Sequence, residues 1–382
     1  MNVNMAYYHF LPSRGGIENH IFFVSKELSK SRHKVTIITT NLVKFHSKSL
    51  PTTETVDGVH ILRLWSFAIR DWIPVCPVAF FKKLPKCDIL HLHSLNPNLF
   101  MLPIQIRGHV ENVPTVLTPH LHPDRLFASY HHPLYRSYLW KVVPALLRKV
   151  DGVIALTPAE RKYYEKCDVR RVFEIPNGVD LELHKTDPAR LASFATNHDP
   201  EKRKILFVGR MTALKGLQTI IRCLPSIIKL HHDVIIYAVG AYTEYAEYLQ
   251  MLAKNLRCEK HIRFYFDVPN EDLAYFYEIS DLVVLPSIQV EAFGLVVLES
   301  WAHRKPVLVP NRGGMRDLVS QGGGKIVYSF GAAAWGQAIV ELLEAGSGLA
   351  RLGSEGRKLV EEKYNWKHVT QEIERVYRSI LN

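Results

Sequence analysis

Two carboxylates stand eight positions apart, at Glu291 and Glu299, with a Phe-Gly turn between them. The apolar run 281–287 precedes them, contains a proline near its end, and predicts a buried parallel strand. The run 295–303 has helix-compatible spacing, so free backbone N–H groups should lie beside Glu291 at the positive end of a helix. Such an end binds anions, phosphate above all. The carboxylates are therefore candidates to hold the two ends of one long anionic ligand, although a helix-start acid and a solvated acid would give the same pattern.

A second candidate anion site follows the strand predicted at 204–210. Arg210 and Lys215 stand in the next loop, where Arg can grip a phosphate with two N–H groups and Lys adds a compact charge. Near the amino terminus, Gly15 and Gly16 separate the first predicted strand from the first helix and let a ligand approach the backbone closely. The pair is not a G-x-G-x-x-G motif, which disfavours dinucleotide binding. A purely structural Gly-Gly turn and two solvated cations remain open alternatives.

Two His-x-His pairs follow predicted strands, His91 with His93 and His120 with His122. We expect each pair to direct at most one ring inward, and the sequence shows no further partners for a zinc site. No metal is therefore expected. His120 lies just beyond the carboxyl end of a strand, where it can hydrogen-bond a sugar hydroxyl.

The bulk properties predict a soluble protein of two domains. The chain has 382 residues, of which 47% are hydrophobic and 22% charged. Its net charge is +11, and residues 1–186 carry 24 Lys and Arg against 15 Asp and Glu, a net +9. An anionic membrane, a phosphorylated substrate, nucleic acid or solubility alone would each explain that excess. Five scattered cysteines without a C-x-x-C pair, no secretory signal and no membrane span favour a cytoplasmic protein.

Strand and helix patterns alternate in both halves, which predicts βαβ units and parallel sheets. The polar segment 183–204 is predicted to join two Rossmann-like domains, at 1–186 and 187–364, and the segment 365–382 follows them. Ligands of such sheets bind at the carboxyl ends of the strands, so we expect the active site in a cleft between the domains. The strands are predicted at 2–8, 33–40, 60–65, 87–94, 114–120, 151–157, 204–210, 233–240, 261–267, 281–286, 305–310 and 325–329.

Two stretches, 63–86 and 125–149, mix Trp, Phe and Tyr with Lys and Arg. Aromatic and basic residues together suit a membrane interface. They would equally fill the core of the first domain and one wall of its acceptor site, and both interpretations stay open.

A resemblance to a known family rests on four segments: PSRGGIE (12–18), IPNGVD (175–180), GRMTALKG (209–216) and the block 286–319. The chain resembles the retaining GT-B nucleotide-sugar glycosyltransferases of family 4, also called glycosyl transferases group 1. The resemblance extends over essentially the whole chain. It implies an α/β GT-B fold, with two Rossmann-like domains whose parallel sheets face a central cleft, and a C-terminal helix that crosses back to the first domain. The chain departs from the family at 303–304, where His and Arg replace a small residue and a glycine.

The resemblance also implies roles for the residues of the Phe-Gly block. Glu299 would hold the ribose hydroxyls of the donor, and Glu291 would contact the donor sugar. The backbone N–H groups of Phe293, Gly294 and Leu295 would meet sugar hydroxyls and phosphate.

Further roles fall on other loops. Arg210 and Lys215 would neutralise the diphosphate, and His120 matches the family's histidine near the reacting sugar. The nucleobase would lie near Phe266 and Val268. Three glycines complete the expected donor site: Gly15, Gly16 and Gly209.

These expectations define a retaining, metal-independent hexosyltransferase that uses a UDP- or GDP-sugar. Fixed cations and helix-end N–H groups would stabilise the departing phosphate. The acceptor is expected to be a sugar or lipid-linked hydroxyl, at the inner face of an anionic membrane. Alternatives are a sugar-nucleotide epimerase, an inactive sugar-nucleotide-binding protein and a glycoside hydrolase, whose two carboxylates would have to flank a single bond. Nucleic acid is not expected as a partner, because the basic half contains no recognisable binding module.

Overall fold

The chain folds into two compact units. Unit 1 comprises Met1–Asn177 and Trp366–Asn382, and unit 2 comprises Gly178–Asn365. The computed structural model describes residues 1–13, 15–43, 46–47, 50–69, 73–95, 100–124 and 143–382.

Unit 1 is built on a sheet with the strand order β12-β11-β10-β9-β1-β2-β6-β5, in which all neighbours are parallel except β5 and β6. The central strands read as continuous apolar runs because both faces of a parallel sheet are buried. Its strands are β1 (Asn2–Ala6), β2 (Lys34–Thr40), β3 (Leu42–Val43), β4 (His46–Ser47), β5 (Thr53–Val56), β6 (Val59–Leu64), β7 (Phe67–Ile69), β8 (Ile73–Val75), β9 (Ile89–His93), β10 (Thr115–Thr118), β11 (Gly152–Ala155) and β12 (Val172–Glu174). Its helices before the chain enters unit 2 are α1 (Gly16–Lys30), α2 (Met101–Val110), α3 (Val143–Leu147) and α4 (Pro158–Glu165).

Unit 2 carries a second, wholly parallel sheet with the order β15-β14-β13-β16-β17-β18. Its strands are β13 (Arg203–Val208), β14 (Val234–Gly240), β15 (Ile262–Phe266), β16 (Leu282–Val284), β17 (Val307–Pro310) and β18 (Gly324–Val327). Its helices are α5 (Pro188–Asn197), α6 (Leu217–Leu230), α7 (Tyr245–Asn255), α8 (Asn270–Ile279), α9 (Leu295–Ala302), α10 (Gly313–Val319), α11 (Ala332–Glu344) and α12 (Ser347–Glu362).

Each sheet has a point at which the strand order reverses. In unit 1 the first strand, β1, lies between β2 and β9, and in unit 2 β13 lies between β14 and β16. Connections leave such a pair of strands in opposite directions, which opens a crevice at their carboxyl ends where ligands of α/β sheets bind. The loops after β1 and β9, and those after β13 and β16, are therefore the positions at which functional side chains should collect.

The last helix, α13 (Trp366–Leu381), belongs to unit 1. It packs against α1 and buries Trp366, Ile373 and Tyr377 in the hydrophobic core of that unit. The Tyr377 hydroxyl and the His91 Nδ1 atom lie 2.6 Å apart. The expected return of a terminal helix to the first domain is confirmed, and unit 1 is consequently assembled from two separate pieces of the chain.

The polar segment 183–204, interpreted as a linker, contains the helix α5. This helix has no fully buried residues, and its large apolar side chains, Leu191 and Phe194, are only half-buried, so its apolar pattern is short and weak. The Asp187 side chain caps it by accepting a 2.7 Å hydrogen bond from the Arg190 N–H. The division between the units falls at 177–178 and so lies before this segment.

Parts of the aromatic and basic stretches, at 70–72 and 125–142, lie outside the described residues. None of the helices in the described part of the chain combines the length and apolarity needed to span a bilayer.

Candidate functional site

In unit 2, the loop after β13 and the loop after β16 are in direct contact. Gly216 has φ 79°, and a Cβ atom at this position would lie 1.9 Å from the Pro286 carbonyl oxygen. The backbone N–H of Ile288 donates a 2.9 Å hydrogen bond to the Leu214 carbonyl. Only glycine fits at position 216, because any side chain would collide with backbone atoms and strain its own φ. The close approach fixes the position of Lys215, which directly precedes this glycine.

This contact brings together the side chains of Lys215 and Glu291. The Lys215 Nζ atom donates a 2.6 Å hydrogen bond to Glu291 Oε1, and the Ser287 hydroxyl lies 3.2 Å from the same oxygen. The two charged side chains remain 25% and 22% exposed. The expected closeness of the two loops is thus observed, together with an ion pair and a serine partner that the sequence did not indicate. A partly exposed ion pair in a strand-end crevice can exchange partners when a charged ligand enters.

The Phe-Gly turn leads into α9. Gly294 has φ 101°, and the first helical residue is Leu295. Among the described residues, the N–H groups of Phe293, Gly294 and Leu295 have no hydrogen-bond acceptor. These three donors therefore stand free at the positive end of α9, next to Glu291. The Phe293 ring itself is buried, so the turn offers its backbone and not its ring to a ligand.

The amino end of α10 supports this turn from behind. The Gly314 N–H donates a 2.9 Å hydrogen bond to the Glu291 carbonyl. A Cβ atom on Gly314 would lie 2.3 Å from the Ala292 carbonyl oxygen, so a side chain there would push the turn outward. The Gly-Gly pair of the block 286–319 thus has a packing role.

Glu299 lies on the second turn of α9 and is half-buried. Its Oε2 atom accepts a 2.8 Å hydrogen bond from the hydroxyl of the fully buried Tyr277. Burial raises the pKa of the Glu299 carboxyl above its usual value, and the hydrogen bond from Tyr277 partly opposes that rise. A desolvated carboxylate with one protein donor retains acceptor capacity for a ligand's hydroxyl groups.

Tyr277 is held in place by His303, one of the two residues at which the sequence departs from the pattern of the family that it resembles. The two rings are stacked, with centroids 5.2 Å apart and planes inclined by 9°. His303 Nδ1 lies 2.8 Å from Glu278 Oε1, and His303 Nε2 lies 2.9 Å from His184 Nδ1. Sequence reasoning missed Tyr277, because nothing in the pattern of α8 distinguishes this tyrosine from its neighbours in the core.

The remaining predicted residues of unit 2 follow the edge of the same sheet. A Cβ atom on Gly240 would lie 1.9 Å from the Gly209 carbonyl oxygen, so the ends of β13 and β14 are in contact. Phe266 pairs with Gly240 in the register of β14 and β15, and Val268 follows it as a half-buried residue. Arg210 is exposed, and its guanidinium makes no hydrogen bond or ion pair to the described residues.

Unit 1 holds the other three predicted residues, Gly15, Gly16 and His120. Gly15 caps α1, and its carbonyl accepts a 2.9 Å hydrogen bond from the Asn19 N–H. His120 follows β10, has φ 51° and is 8% exposed. Its ring packs edge-on against the ring of His20 on α1, with the centroids 5.0 Å apart. The amino end of α1 and the end of β10 therefore meet at the strand-order reversal of this sheet.

His93, at the end of β9, completes a cluster of three buried histidines with His20 and His120. One ring nitrogen from each lies within 4.8 Å of the others. Burial lowers the pKa of all three imidazoles, that of His20 to about 4. They are therefore neutral at pH 7.

Two expectations about these histidines were wrong. The rings of His91 and His93 are both buried, with centroids 4.1 Å apart, because residues two apart in a strand face the same side. The sequence argument also found no third histidine beside these pairs, whereas α1 places His20 there. The periodic spacing of α1 could have placed this histidine on its inward face, next to Ile21 and Val24.

Two family models match the chain and together cover most of it. The model described as Glycosyltransferase Family 4 matches residues 14–183, and the model described as Glycosyl transferases group 1 matches residues 190–359.

Curated relatives and solved structures agree with the models. An uncharacterised glycosyltransferase of Methanocaldococcus jannaschii is 26% identical over 99% of this chain and 98% of its own length. Phosphatidyl-myo-inositol mannosyltransferase of Mycobacterium leprae is 29% identical over 77% of this chain and 74% of its own length. The crystal structure of HepE from Anabaena, in complex with UDP and glucose, superposes with a TM-score of 0.77 at 18% identity, over 99% of this chain and 100% of that one. The fold and the family models lead to one conclusion: the chain belongs to the family 4 glycosyltransferases of GT-B fold, the glycosyl transferases group 1.

Proposed function

We propose that this protein transfers a hexose, with retention of configuration, from a UDP- or GDP-sugar to a hydroxyl acceptor. The observation that carries the proposal is the Lys215–Glu291 ion pair beside the free N–H groups at the start of α9. A nucleoside diphosphate sugar presents hydroxyl groups next to a diphosphate that carries two negative charges. The carboxylate suits the hydroxyls, and the ammonium and N–H groups suit the phosphate.

The proposed chemistry needs stabilisation of the departing diphosphate. As the glycosidic bond to phosphate breaks, negative charge builds on the leaving oxygen. Lys215, the exposed Arg210 and the backbone N–H groups of 293–295 supply positive charge and donors for it. We propose that these groups suffice for transfer without a bound metal. In the proposed retaining route, the acceptor attacks from the face that the phosphate leaves, and the phosphate oxygen takes the acceptor proton.

The rest of the donor fits the same edge of the unit 2 sheet. Glu299 would accept hydrogen bonds from the ribose hydroxyls, and Phe266 and Val268 would line the nucleobase position. His120 of unit 1 would hydrogen-bond the reacting sugar. The HepE structure contains UDP and glucose, and the mycobacterial relative is named a mannosyltransferase, which supports a hexose on a nucleoside diphosphate.

Thermal unfolding in the presence of UDP, GDP and ADP tests the donor assignment. A nucleotide at 100 times its Kd should stabilise unit 2 by about 2.7 kcal/mol. We expect UDP or GDP, but not ADP, to raise the unfolding midpoint. The matching nucleotide sugar should then support transfer that survives treatment with EDTA, and NMR of the product should show the anomer of the donor. Equal shifts with all three nucleotides, or an inverted anomer, would contradict the proposal.

We further propose that the acceptor is lipid-linked and that unit 1 rests on an anionic membrane surface. Helix α2 exposes three apolar residues at a spacing of four, Leu102, Ile106 and Val110, so they form one apolar stripe. Val110 is 72% exposed. Phe81, which is 87% exposed, follows the short 3₁₀ helix Pro77–Phe80 that packs against α2. The positive charge of residues 1–186 would add attraction to anionic lipid. The mycobacterial relative's name includes phosphatidyl-myo-inositol, which supports a lipid acceptor.

Flotation with liposomes tests the membrane contact. We expect the protein to float with vesicles that contain anionic lipid and to stay behind with purely zwitterionic ones. Ile106→Glu should abolish flotation, because it places a charge in the apolar stripe. Leu230→Glu, at an exposed leucine of unit 2, is the matched control and should float normally. Equal recovery with both lipids, or equal loss in both variants, would refute the contact.

A further inference from the structure

The histidine cluster formed by His20, His93 and His120 has the dimensions of a metal site. The Nδ1 atom of His93 and the Nε2 atom of His120 are 3.2 Å apart. Two imidazole nitrogens on one tetrahedral Zn²⁺ ion, each at about 2.05 Å, are separated by about 3.3 Å. The ring nitrogen of His20 lies within 4.8 Å of the other two nitrogens. A ring movement of at most about 1.5 Å would therefore let all three nitrogens bind one ion.

The residues around the cluster favour metal binding over a closed hydrogen-bond network. His20 Nδ1 lies 2.6 Å from Asn177 Oδ1, so Nδ1 carries the proton and Nε2 presents its lone pair. That Nε2 atom is buried and has no hydrogen-bond partner among the described residues. An unpaired buried nitrogen costs stability, which a bound ion would recover.

A matched comparison comes from His91, the neighbour of His93 on β9. Its Nδ1 atom lies 2.6 Å from the Tyr377 hydroxyl and its Nε2 atom lies 2.8 Å from the Thr118 hydroxyl. Both nitrogens are therefore occupied, as in an ordinary structural histidine. His20 leaves its Nε2 atom unused, so it differs from His91 in the feature that metal binding requires.

We propose that His20, His93 and His120 bind one divalent transition-metal ion of the Zn²⁺ and Co²⁺ class, with Asn177 as the residue that positions His20. Three imidazoles without thiolate or carboxylate suit Zn²⁺, Co²⁺, Ni²⁺ and Cu²⁺ and not Mg²⁺ or Ca²⁺. Three protein ligands leave a fourth position for water. The 8% exposure of His120 provides the entry point, because the other two rings are fully buried.

Metal binding has a consequence for catalysis that rests on the proposed role of His120. Ligation would hold the His120 ring against His20 and His93, so the ring could no longer adjust its position to hydrogen-bond the donor sugar. Occupation of the site should therefore inhibit sugar transfer reversibly, and a chelator should restore it. The site is thus inferred to regulate the transferase and not to take part in the reaction.

Titration of the full-length protein with Co²⁺ tests the site without any need for activity. We expect one equivalent to bind and to give the intense visible absorption of four-coordinate Co²⁺. His20→Asn and His93→Asn should each abolish this spectrum, and Asn177→Ala should weaken binding about 10- to 100-fold. His91→Gln should retain it. Thermal unfolding and circular dichroism of each variant establish that it is folded.

Several results would overturn the site. One is a spectrum of six-coordinate, solvent-like Co²⁺. Another is Co²⁺ binding that persists in folded His20→Asn and His93→Asn. The third is loss of Co²⁺ binding in folded His91→Gln alone. Zn²⁺ should compete with Co²⁺ and inhibit transfer over the same concentration range, with recovery in EDTA. Co²⁺ binding without inhibition would retain the metal site and remove its proposed link to His120. Failure of the transferase assay itself leaves the Co²⁺ result intact, so the two proposals fail separately.

Discussion

Lys215→Met is expected to lower kcat/KM for sugar transfer by about 100- to 1,000-fold, the usual cost of removing one group that stabilises charge in a transition state. The methionine keeps the length of the side chain and removes only its charge. Lys215 is held by the glycine contact at 216 and points its ammonium at Glu291, whereas the exposed Arg210 of the same loop makes no such ion pair. Initial rates with the donor found in the nucleotide panel give the measurement.

The control for this prediction is Lys229→Met. Lys229 is exposed near the carboxyl end of α6, whereas Lys215 precedes the amino end of the same helix. Its loss should change the rate less than twofold. If Lys215→Met retained more than about a tenth of the wild-type rate, the assignment of Lys215 to the diphosphate would be refuted.

The ion pair between Lys215 and Glu291 leads to a prediction for the combined variant. Removing Lys215 alone leaves Glu291 without its 2.6 Å partner, and that side chain is only 22% exposed. The effects of Lys215→Met and Glu291→Gln on transfer should therefore not add, because neighbouring charges act as one unit. Additive losses would mean that the two residues serve separate parts of the donor.

Glu299→Gln is expected to weaken binding of the preferred nucleoside diphosphate by about 10- to 100-fold, since hydrogen bonds to charged groups contribute about 1.5–3 kcal/mol. A carboxylate can accept from both ribose hydroxyls at once, whereas a carboxamide offers one acceptor and one donor group. The substitution keeps the shape of the side chain and the hydrogen bond from Tyr277. Isothermal titration calorimetry gives the change in Kd.

The same variant should be at least as stable as the wild type at neutral pH. Burial raises the pKa of Glu299, so the folded state disfavours the ionised form relative to the unfolded state. That penalty is present above the folded pKa and disappears as the pH falls below the unfolded pKa of about 4.3. The stability advantage of Glu299→Gln should therefore be largest near neutral pH and vanish in acid, as thermal unfolding across that range can show.

Glu201→Gln, at an exposed carboxylate just before β13, controls for a general charge effect. It should leave both nucleotide affinity and the pH profile unchanged. A folded Glu299→Gln that binds the nucleotide as tightly as the wild type would contradict the assignment of Glu299 to the ribose.

The central strands of both sheets were predictable because parallel strands buried on both faces are unbroken apolar runs. The sequence does not predict β5, because its Thr-Glu-Thr-Val run lies on a sheet edge and is only partly buried. The helix α5 was missed for a related reason, since its large apolar side chains, Leu191 and Phe194, are only half-buried and give a weak periodic pattern. Sequence periodicity detects elements through their burial, and elements with little burial give little signal.

The residues of the candidate site also differ in whether the sequence alone could predict them. The sequence alone could propose four of the site residues, because a charged residue near the end of an apolar strand can be recognised without a structure. These are Glu291, Glu299, Lys215 and Arg210. The pairing of Lys215 with Glu291 could only be expected in outline, because it depends on the backbone contact at Gly216. His20 and Tyr277 could not be assigned, because their positions depend on how α1 and α8 pack on neighbouring elements.

The discontinuity of unit 1 has a consequence for the order in which the nascent chain folds. Unit 2 is a single continuous stretch, and its ends lie side by side, with the Val179 N–H donating a 2.8 Å hydrogen bond to the Tyr364 carbonyl. Unit 1 buries Ile373 and Tyr377 from its last helix, so its core stays open until α13 has been translated. The half of the protein that the ribosome makes first is therefore the half that is completed last.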